Sequence, residues 1–147
     1  MIRLAHTKDA AAVAALVDAA YAMYIPRLGR KPLPMLDDYT VLISQGIVYV
    51  LEDNGAIAGL LVLVPEDDAM LLRNIAVKPD AQGRGFGRAL LNFAQATARS
   101  DGYDAIRLYT NVVMTENQAL YKHCGYAEIG RVEEHGSRRV YMAKQLR

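Results

Sequence analysis

The chain of 147 residues is 52% hydrophobic and 22% charged, with a formal net charge of +1. That balance suits one globular domain over residues 1–147 and gives no general attraction to nucleic acid. A single cysteine, Cys124, excludes an intramolecular disulfide and points to a reducing, cytoplasmic setting, and with neither a signal-peptide pattern nor a long uninterrupted apolar run, no membrane partner is expected.

In chain order, residues 2–5 read as a short strand. Thr7 is expected to cap a helix whose apolar positions Val13, Leu16, Val17, Ala20 and Tyr24 recur at helical spacing. Pro26, Gly29, Pro32 and Pro34 then break regular structure in a loop carrying Arg27, Arg30 and Lys31. A second helix is expected from near Met35 to Gly46. Residues 47–51 and 57–64 read as strands joined by the hairpin signal Asn54-Gly55. A turn at Pro65-Glu66-Asp67-Asp68 leads into a strand over 70–77.

Next comes Gln82-Gly83-Arg84-Gly85-Phe86-Gly87-Arg88, which opens a helix to about Ser100 with Phe86, Ala89, Leu90, Phe93, Ala94 and Thr97 on one face. Gly102 ends it. Residues 105–110 form the following strand, and a strand-helix-strand passage of this length implies parallel pairing through a right-handed crossover. The chain closes with a short helix near 117–123, a strand over 126–133, a turn at His135-Gly136-Ser137 and a final strand over 138–144.

The alternate glycines carry the chemistry. Each admits positive φ and close approach of a ligand to the main chain, and the helix adds its positive end. Arg84 and Arg88 are read in the first helical turn, where the macrodipole disfavours cations, so the pair points to an anion between them. The loop lacks the Gly-Lys-Ser/Thr of a P-loop. It also departs from the dinucleotide fingerprint, because the next strand ends in Tyr109-Thr110-Asn111 rather than an acidic ribose ligand.

The strand ending Ile75-Ala76-Val77, followed by Gln82 to Gly87, resembles the acyl-CoA pyrophosphate loop of the GNAT N-acetyltransferase family. Asn117-Gln118-Ala119-Leu120-Tyr121 with Cys124-Gly125-Tyr126 resembles the family's second motif. The similarity covers nearly the whole chain and is weakest over 24–38. It implies an α/β fold in which a mixed, twisted central sheet is flanked by helices on both faces. It also implies transfer of an acetyl group from acetyl-CoA, a cosubstrate, to an amine by direct attack, without a metal.

The resemblance implies roles residue by residue. Ile75, Ala76 and Val77 would hold the pantetheine arm. The stretch Gln82, Gly83, Arg84, Gly85, Phe86 and Gly87 would meet the pyrophosphate with its amides, supported by the Arg84 and Arg88 charges. Asn117 would contact the cofactor arm or cap its helix. Tyr121 would be the general acid, since a phenol stays protonated at neutral pH and is reasonably matched to a leaving thiolate; a half-buried packing tyrosine is the alternative.

No base is assigned. The position at which some family members carry a Glu falls on Leu71. Asn74 is open to two roles, ordering a water or making a structural contact. The acidic clusters Glu66 to Asp68 and Glu133 to His135 are open to attracting a cationic amine or simply facing solvent. Tyr21, Tyr24, Pro26, Arg27, Tyr39 and the segment near Glu133 are expected, by the resemblance, to border the acceptor, a small-molecule amine or a peptide or protein amine. His6, His123, His135 and Cys124 lie at no zinc spacing. A noncatalytic acyl-CoA sensor, a longer acyl donor and a homodimer through the terminal strands or an exposed helix stay open.

Overall fold

The computed structural model describes residues 1–146; Arg147, the last residue of the expected domain, lies outside them. Seven strands, β1 (Ile2–Leu4), β2 (Val48–Asp53), β3 (Ala56–Pro65), β4 (Met70–Val77), β5 (Ala105–Asn111), β6 (Ala127–Glu134) and β7 (Ser137–Gln145), form one sheet in the order β1-β2-β3-β4-β5-β7-β6. All neighbours pair antiparallel except β4 and β5, which are parallel. The five α-helices are α1 (Ala10–Tyr21), α2 (Ile25–Leu28), α3 (Tyr39–Ser44), α4 (Phe86–Ser100) and α5 (Thr115–His123).

The sheet is covered on both faces because β3 is apolar at consecutive positions. Leu60 and Val62 join Val13, Val17, Leu42 and Ile43 from α1 and α3 in one buried cluster. Leu61 and Leu63 join Leu90, Leu91, Ala94 and Ala98 from α4 in the other. A strand buried on both sides reads as a continuous hydrophobic run, and each fully buried leucine contributes roughly 1.5–3 kcal/mol. Gly59 is needed for the approach of α4, since a Cβ there would lie 3.1 Å from Leu90 Cδ1 and 3.2 Å from the Ala76 carbonyl oxygen.

Several local expectations are corrected. Thr7 does not cap α1: a 3₁₀ turn, Thr7–Asp9, comes first, and the Asp9 carboxylate accepts from the His6 amide and from Arg3, both at 2.8 Å. An ionised carboxylate is the stronger acceptor, and Arg3 holds the Asp9 pKa down at about 2. The helix expected from Met35 is split. A 3₁₀ turn spans Leu33–Leu36, and α3 starts only at Tyr39, where Asp38 accepts from the amides of Thr40 and Val41. Pro26 sits in the first turn of α2, which Gly29 ends at φ 71°, a position where Pro is tolerated rather than helix-breaking. The helical run Thr7–Leu28 also reaches the length and composition of a membrane span, against the expectation that no segment does. Its Val13 and Val17 are fully buried against the sheet.

The site is created by two irregularities in β4. Opposite β3, Val62 pairs with Asn74 and Leu63 with Leu72, which leaves Arg73 as the extra residue of a bulge. A bulge displaces the strand's alternation. Met70 and Leu72 consequently face the α4 cluster, whereas Ala76 faces the α1 cluster and Ile75 and Val77 pack toward α4. On its other edge β4 pairs with β5 only from Met70 to Leu72, opposite Ile106 to Leu108. Beyond that point β5 continues against β7 to Asn111 and β4 continues against β3 to Val77, so the parallel strands separate at their carboxyl ends.

Candidate active site

Two cavities meet at this separation. The larger, termed the donor cavity for the cosubstrate that the resemblance implies, encloses about 1210 Å³, its open mouth included, and is lined by Ile75, Ala76 and Val77 on β4, by Gln82, Gly83, Gly85, Phe86, Gly87 and Arg88 at the loop and first turn of α4, and by Asn117, Leu120 and Tyr121 on α5. The smaller, termed the acceptor cavity on the same expectation, encloses about 610 Å³, its open mouth included, and is lined by residues of the 28–34 segment, by Leu72 to Ile75, by Tyr109, Thr110 and Asn111, and by Ser137 and Arg139. Tyr21, Ile75, Asn117 and Tyr121 belong to both walls.

The glycine loop has the geometry that its composition implies. Gly83 and Gly85 adopt φ of 81° and 84°, with nothing within 4 Å of the position a Cβ would take. These are left-handed conformations that side-chain-bearing residues rarely adopt. Gly85 is the N-cap of α4, whose first turn holds no acidic residue. Gly87 is not required by close approach of a strand, because a Cβ there would meet only the end of Leu120, at 3.6 Å. Gln82 Nε2 donates to the Val77 carbonyl at 3.2 Å and ties the loop back to β4.

The two loop arginines part company. Arg84 precedes α4 rather than lying in its first turn, pairs with Asp53 at 2.8 Å, and stacks 4.7 Å from the Phe86 ring centroid; it is absent from the cavity lining. Arg88, in the first turn, lines the cavity and makes no ion pair among the described residues. Glu116 also reaches this wall, but Arg27 grips it through two hydrogen bonds of 2.7 and 2.6 Å. That grip holds the Glu116 pKa down at about 2, and Arg27 donates as well to the Val113 carbonyl at 3.1 Å. The α2 segment thereby clasps the start of α5, a contact that no local sequence pattern signals.

Tyr121 is buried, packs against Tyr126 with ring centroids 6.1 Å apart, and its hydroxyl makes no hydrogen bond among the described residues. Burial first, then the neighbouring Tyr126, raises its pKa above the ordinary tyrosine value, so it keeps its proton. Tyr126 is held by its own environment: burial pushes it up to about 12, and Gln95 approaches its hydroxyl without meeting hydrogen-bond geometry. Asn117 is the third residue of α5, behind the N-cap Met114, so capping is not its role.

Asn74 is structural. Tyr21 donates to Asn74 Oδ1 at 2.5 Å, Asn74 Nδ2 donates to the Tyr39 hydroxyl at 3.0 Å, and Tyr39 donates to the Pro34 carbonyl at 2.7 Å. This chain ties β4 just past its bulge to α1 and to the 33–36 turn, using one N–H and one lone pair of the Asn74 amide. Of the residues expected around the acceptor, Tyr21 lines the cavity, Tyr24 lines the donor side, and Pro26, Arg27, Tyr39 and Glu133 line neither. The acidic clusters are turned to other work: Asp68 and Glu66 pair with Arg107 and Glu134 with Arg139. Among the described residues no Asp, Glu or His lines the acceptor cavity, and no group of His, Cys, Asp and Glu is placed to hold a metal.

Known proteins are similar to this chain in sequence and in fold. A sequence model of the acetyltransferase (GNAT) domain matches residues 44–128. Mycothiol acetyltransferase of Beutenbergia cavernae is 30% identical over 96 residues, covering 63% of this chain and 32% of that protein. The chain spans between 32% and 52% of the length of the first curated relatives it matches. Two solved structures share the fold. The PaiA N-acetyltransferase of Thermoplasma acidophilum in complex with coenzyme A has a TM-score of 0.81 at 16% identity, covering 99% of this chain and 98% of that one. The ribosomal-protein-S18-alanine N-acetyltransferase of Escherichia coli has a TM-score of 0.78 at 24% identity, covering 99% and 93%. The domain match spans β2 to the start of β6, and so contains the glycine loop, the separated β4 and β5, and Tyr121: the chain belongs to the GNAT acetyltransferase family.

Proposed function

We propose that the protein transfers the acetyl group of acetyl-CoA to a primary amine by direct attack within a ternary complex. The observation that carries this reading is Tyr121, whose unpartnered, protonated hydroxyl lies in the wall shared by the two cavities. The donor cavity suits the cofactor. Gly83 and Gly85 leave the loop open to an anion, and Arg88 offers a charge not matched by any carboxylate among the described residues. Acetyl-CoA supplies the activated thioester. The residues Ile75 to Val77, past the point where β4 leaves β5, present an edge that no strand covers to the pantetheine arm, with the Ile75 carbonyl accepting from the Tyr21 hydroxyl and the Val77 carbonyl from Gln82.

In the step itself the amine nitrogen bonds to the thioester carbonyl carbon and the carbon–sulfur bond breaks. Tyr121 gives its proton to the departing thiolate and regains one from solvent, to which the proton lost by nitrogen passes, since among the described residues no carboxylate or imidazole lines the acceptor cavity. The single cysteine, half-buried at the end of α5, supports a reducing, cytoplasmic setting.

The test is a panel of amines incubated with acetyl-CoA, with release of free CoA thiol as the readout and calorimetric titration of acetyl-CoA alongside. Thiol release that depends on an amine supports transfer. Binding without release for any amine supports a noncatalytic sensor, and absence of binding overturns the donor assignment.

A further inference from the structure

The acceptor cavity has an electrostatic character that its sequence segments do not show. Arg30, Lys31, Arg73 and Arg139 all line it, and no carboxylate does among the described residues. Two of these charges are matched from outside the lining: Arg73 by Asp37 at 2.9 Å and Arg139 by Glu134 at 3.1 Å. The other two are not. Arg30 donates through one terminal nitrogen to neutral partners only, the Gly136 carbonyl and Ser137 Oγ. Lys31 forms no ion pair among the described residues.

Resting on the transfer reading above, we propose that the acceptor is a small amine that also carries an oxyanion, a carboxylate or a phosphate, bound by Arg30 and Lys31. The charge balance selects this class. In the neutral-nitrogen form that attack requires, a plain amine carries no charge and gains nothing from two uncompensated cations. An amine whose nitrogen is neutral, as attack requires, and which carries an oxyanion has a net negative charge and is attracted.

The same field serves the chemistry. Nearby cations disfavour the protonated form of an amine and lower its pKa, which helps deliver a neutral nucleophile where no side-chain base is available. Arg30 is held for the role because the turn between β6 and β7, with His135 and Gly136 at φ of 50° and 72°, brings the Gly136 carbonyl against one end of its guanidinium. The rest of the fork is free for an anion. Arg139, stacked 4.0 Å from the Tyr109 ring centroid, frames the wall beside it.

The test measures kcat/KM with acetyl-CoA for matched sets: L-amino acids, their carboxamides and the corresponding decarboxylated amines, together with phosphoethanolamine against ethanolamine. The anionic member of a set is expected to lead by roughly 10- to 100-fold, the range for a charge-assisted contact. The R30Q/K31Q double variant is expected to lose that lead while its acetyl-CoA affinity, measured by calorimetry, stays unchanged. Equal or better turnover of the amines that lack the oxyanion overturns the proposal, as does a lead retained by the variant.

Succinyl-CoA with a neutral amine forms a separate arm. Preference for it over acetyl-CoA assigns the cations to the acyl group and overturns the acceptor proposal. Acetyl-CoA binding with no amine of any charge acetylated also overturns it while leaving the donor site standing, whereas loss of acetyl-CoA binding in the wild type sinks the parent reading itself.

Discussion

The donor and acceptor cavities share four residues but are built on different plans. The donor wall comes largely from one continuous stretch, β4 through the first turn of α4, and the anion binding proposed for it rests mainly on backbone: two glycines at positive φ and a helix start. The acceptor wall draws on the 28–34 segment, the β4 bulge, the end of β5 and the start of β7, and its character lies in side-chain charge. A main-chain site tolerates little change at its glycines, whereas a side-chain site can be retuned by substitution without altering the sheet. On the proposed reading, the donor wall is thus fixed by the fold, whereas the acceptor wall is assembled from several separate segments, α1 and α5 among them.

The largest expected effect falls on the shared wall. Tyr121→Phe removes the proton donor and leaves both cavities their shape, so kcat should fall by about 10²- to 10⁴-fold, the usual contribution of a general acid. Acetyl-CoA affinity by calorimetry should hold within a few-fold. Parallel loss of affinity would make Tyr121 a packing residue of the donor wall instead.

The pH profile follows in size. Because burial raises the Tyr121 pKa, its protonated form persists past the ordinary tyrosine range, and no alkaline loss of kcat from this group is expected up to about pH 10. With no Asp, Glu or His lining the acceptor cavity among the described residues, kcat/KM should rise about tenfold per pH unit and level off only at the pKa of the amine acceptor. A plateau that stays at one pH for amines of different basicity would reveal an enzyme base and contradict this assignment.

Legibility in the sequence divides along the same line. The glycine loop and the second motif were readable because each is local, and Asn54-Gly55 fixed its hairpin through turn chemistry, with both residues at positive φ. The bulge at Arg73 was not readable. Met70, Leu72, Asn74 and Ala76 alternate as though they share one face, and only the pairing with β3 shows that the strand reverses sides between Leu72 and Asn74. Nor could the sequence tell Arg84 from Arg88. Their difference depends on Asp53, thirty-one positions away and brought alongside by the sheet. The basic 27–31 loop was visible as composition, but which of its charges faces a cavity depends on the Gly136 turn and on Glu116.

Gly59 tests whether the donor side depends on the sheet beneath it. The Cβ of Gly59→Ala would crowd Leu90 Cδ1, which can rotate away, and the Ala76 carbonyl at 3.2 Å, which is backbone on the cofactor strand and cannot. Overpacking of this kind costs about 1–3 kcal/mol, to be read from chemical denaturation. The KM for acetyl-CoA should rise, and the ranking of acceptors should stay as in the wild type. A reordering of acceptors with unchanged donor KM would show that the two walls are not separable.

The smallest effects come from the loop arginines, and they sharpen the comparison most finely. Arg88→Ala removes the lining cation that no described carboxylate matches, so acetyl-CoA affinity should weaken by about tenfold, as expected for one charge-assisted contact, with a shallower salt dependence. Arg84→Ala removes a cation already neutralised by Asp53 and stacked on Phe86. Since exposed ion pairs contribute about 0–1 kcal/mol, donor affinity should change by no more than a few-fold. If Arg84→Ala proves the more damaging of the two, the Asp53 pair must open when the cofactor binds, and the donor wall would then depend on a side-chain rearrangement rather than on preformed backbone.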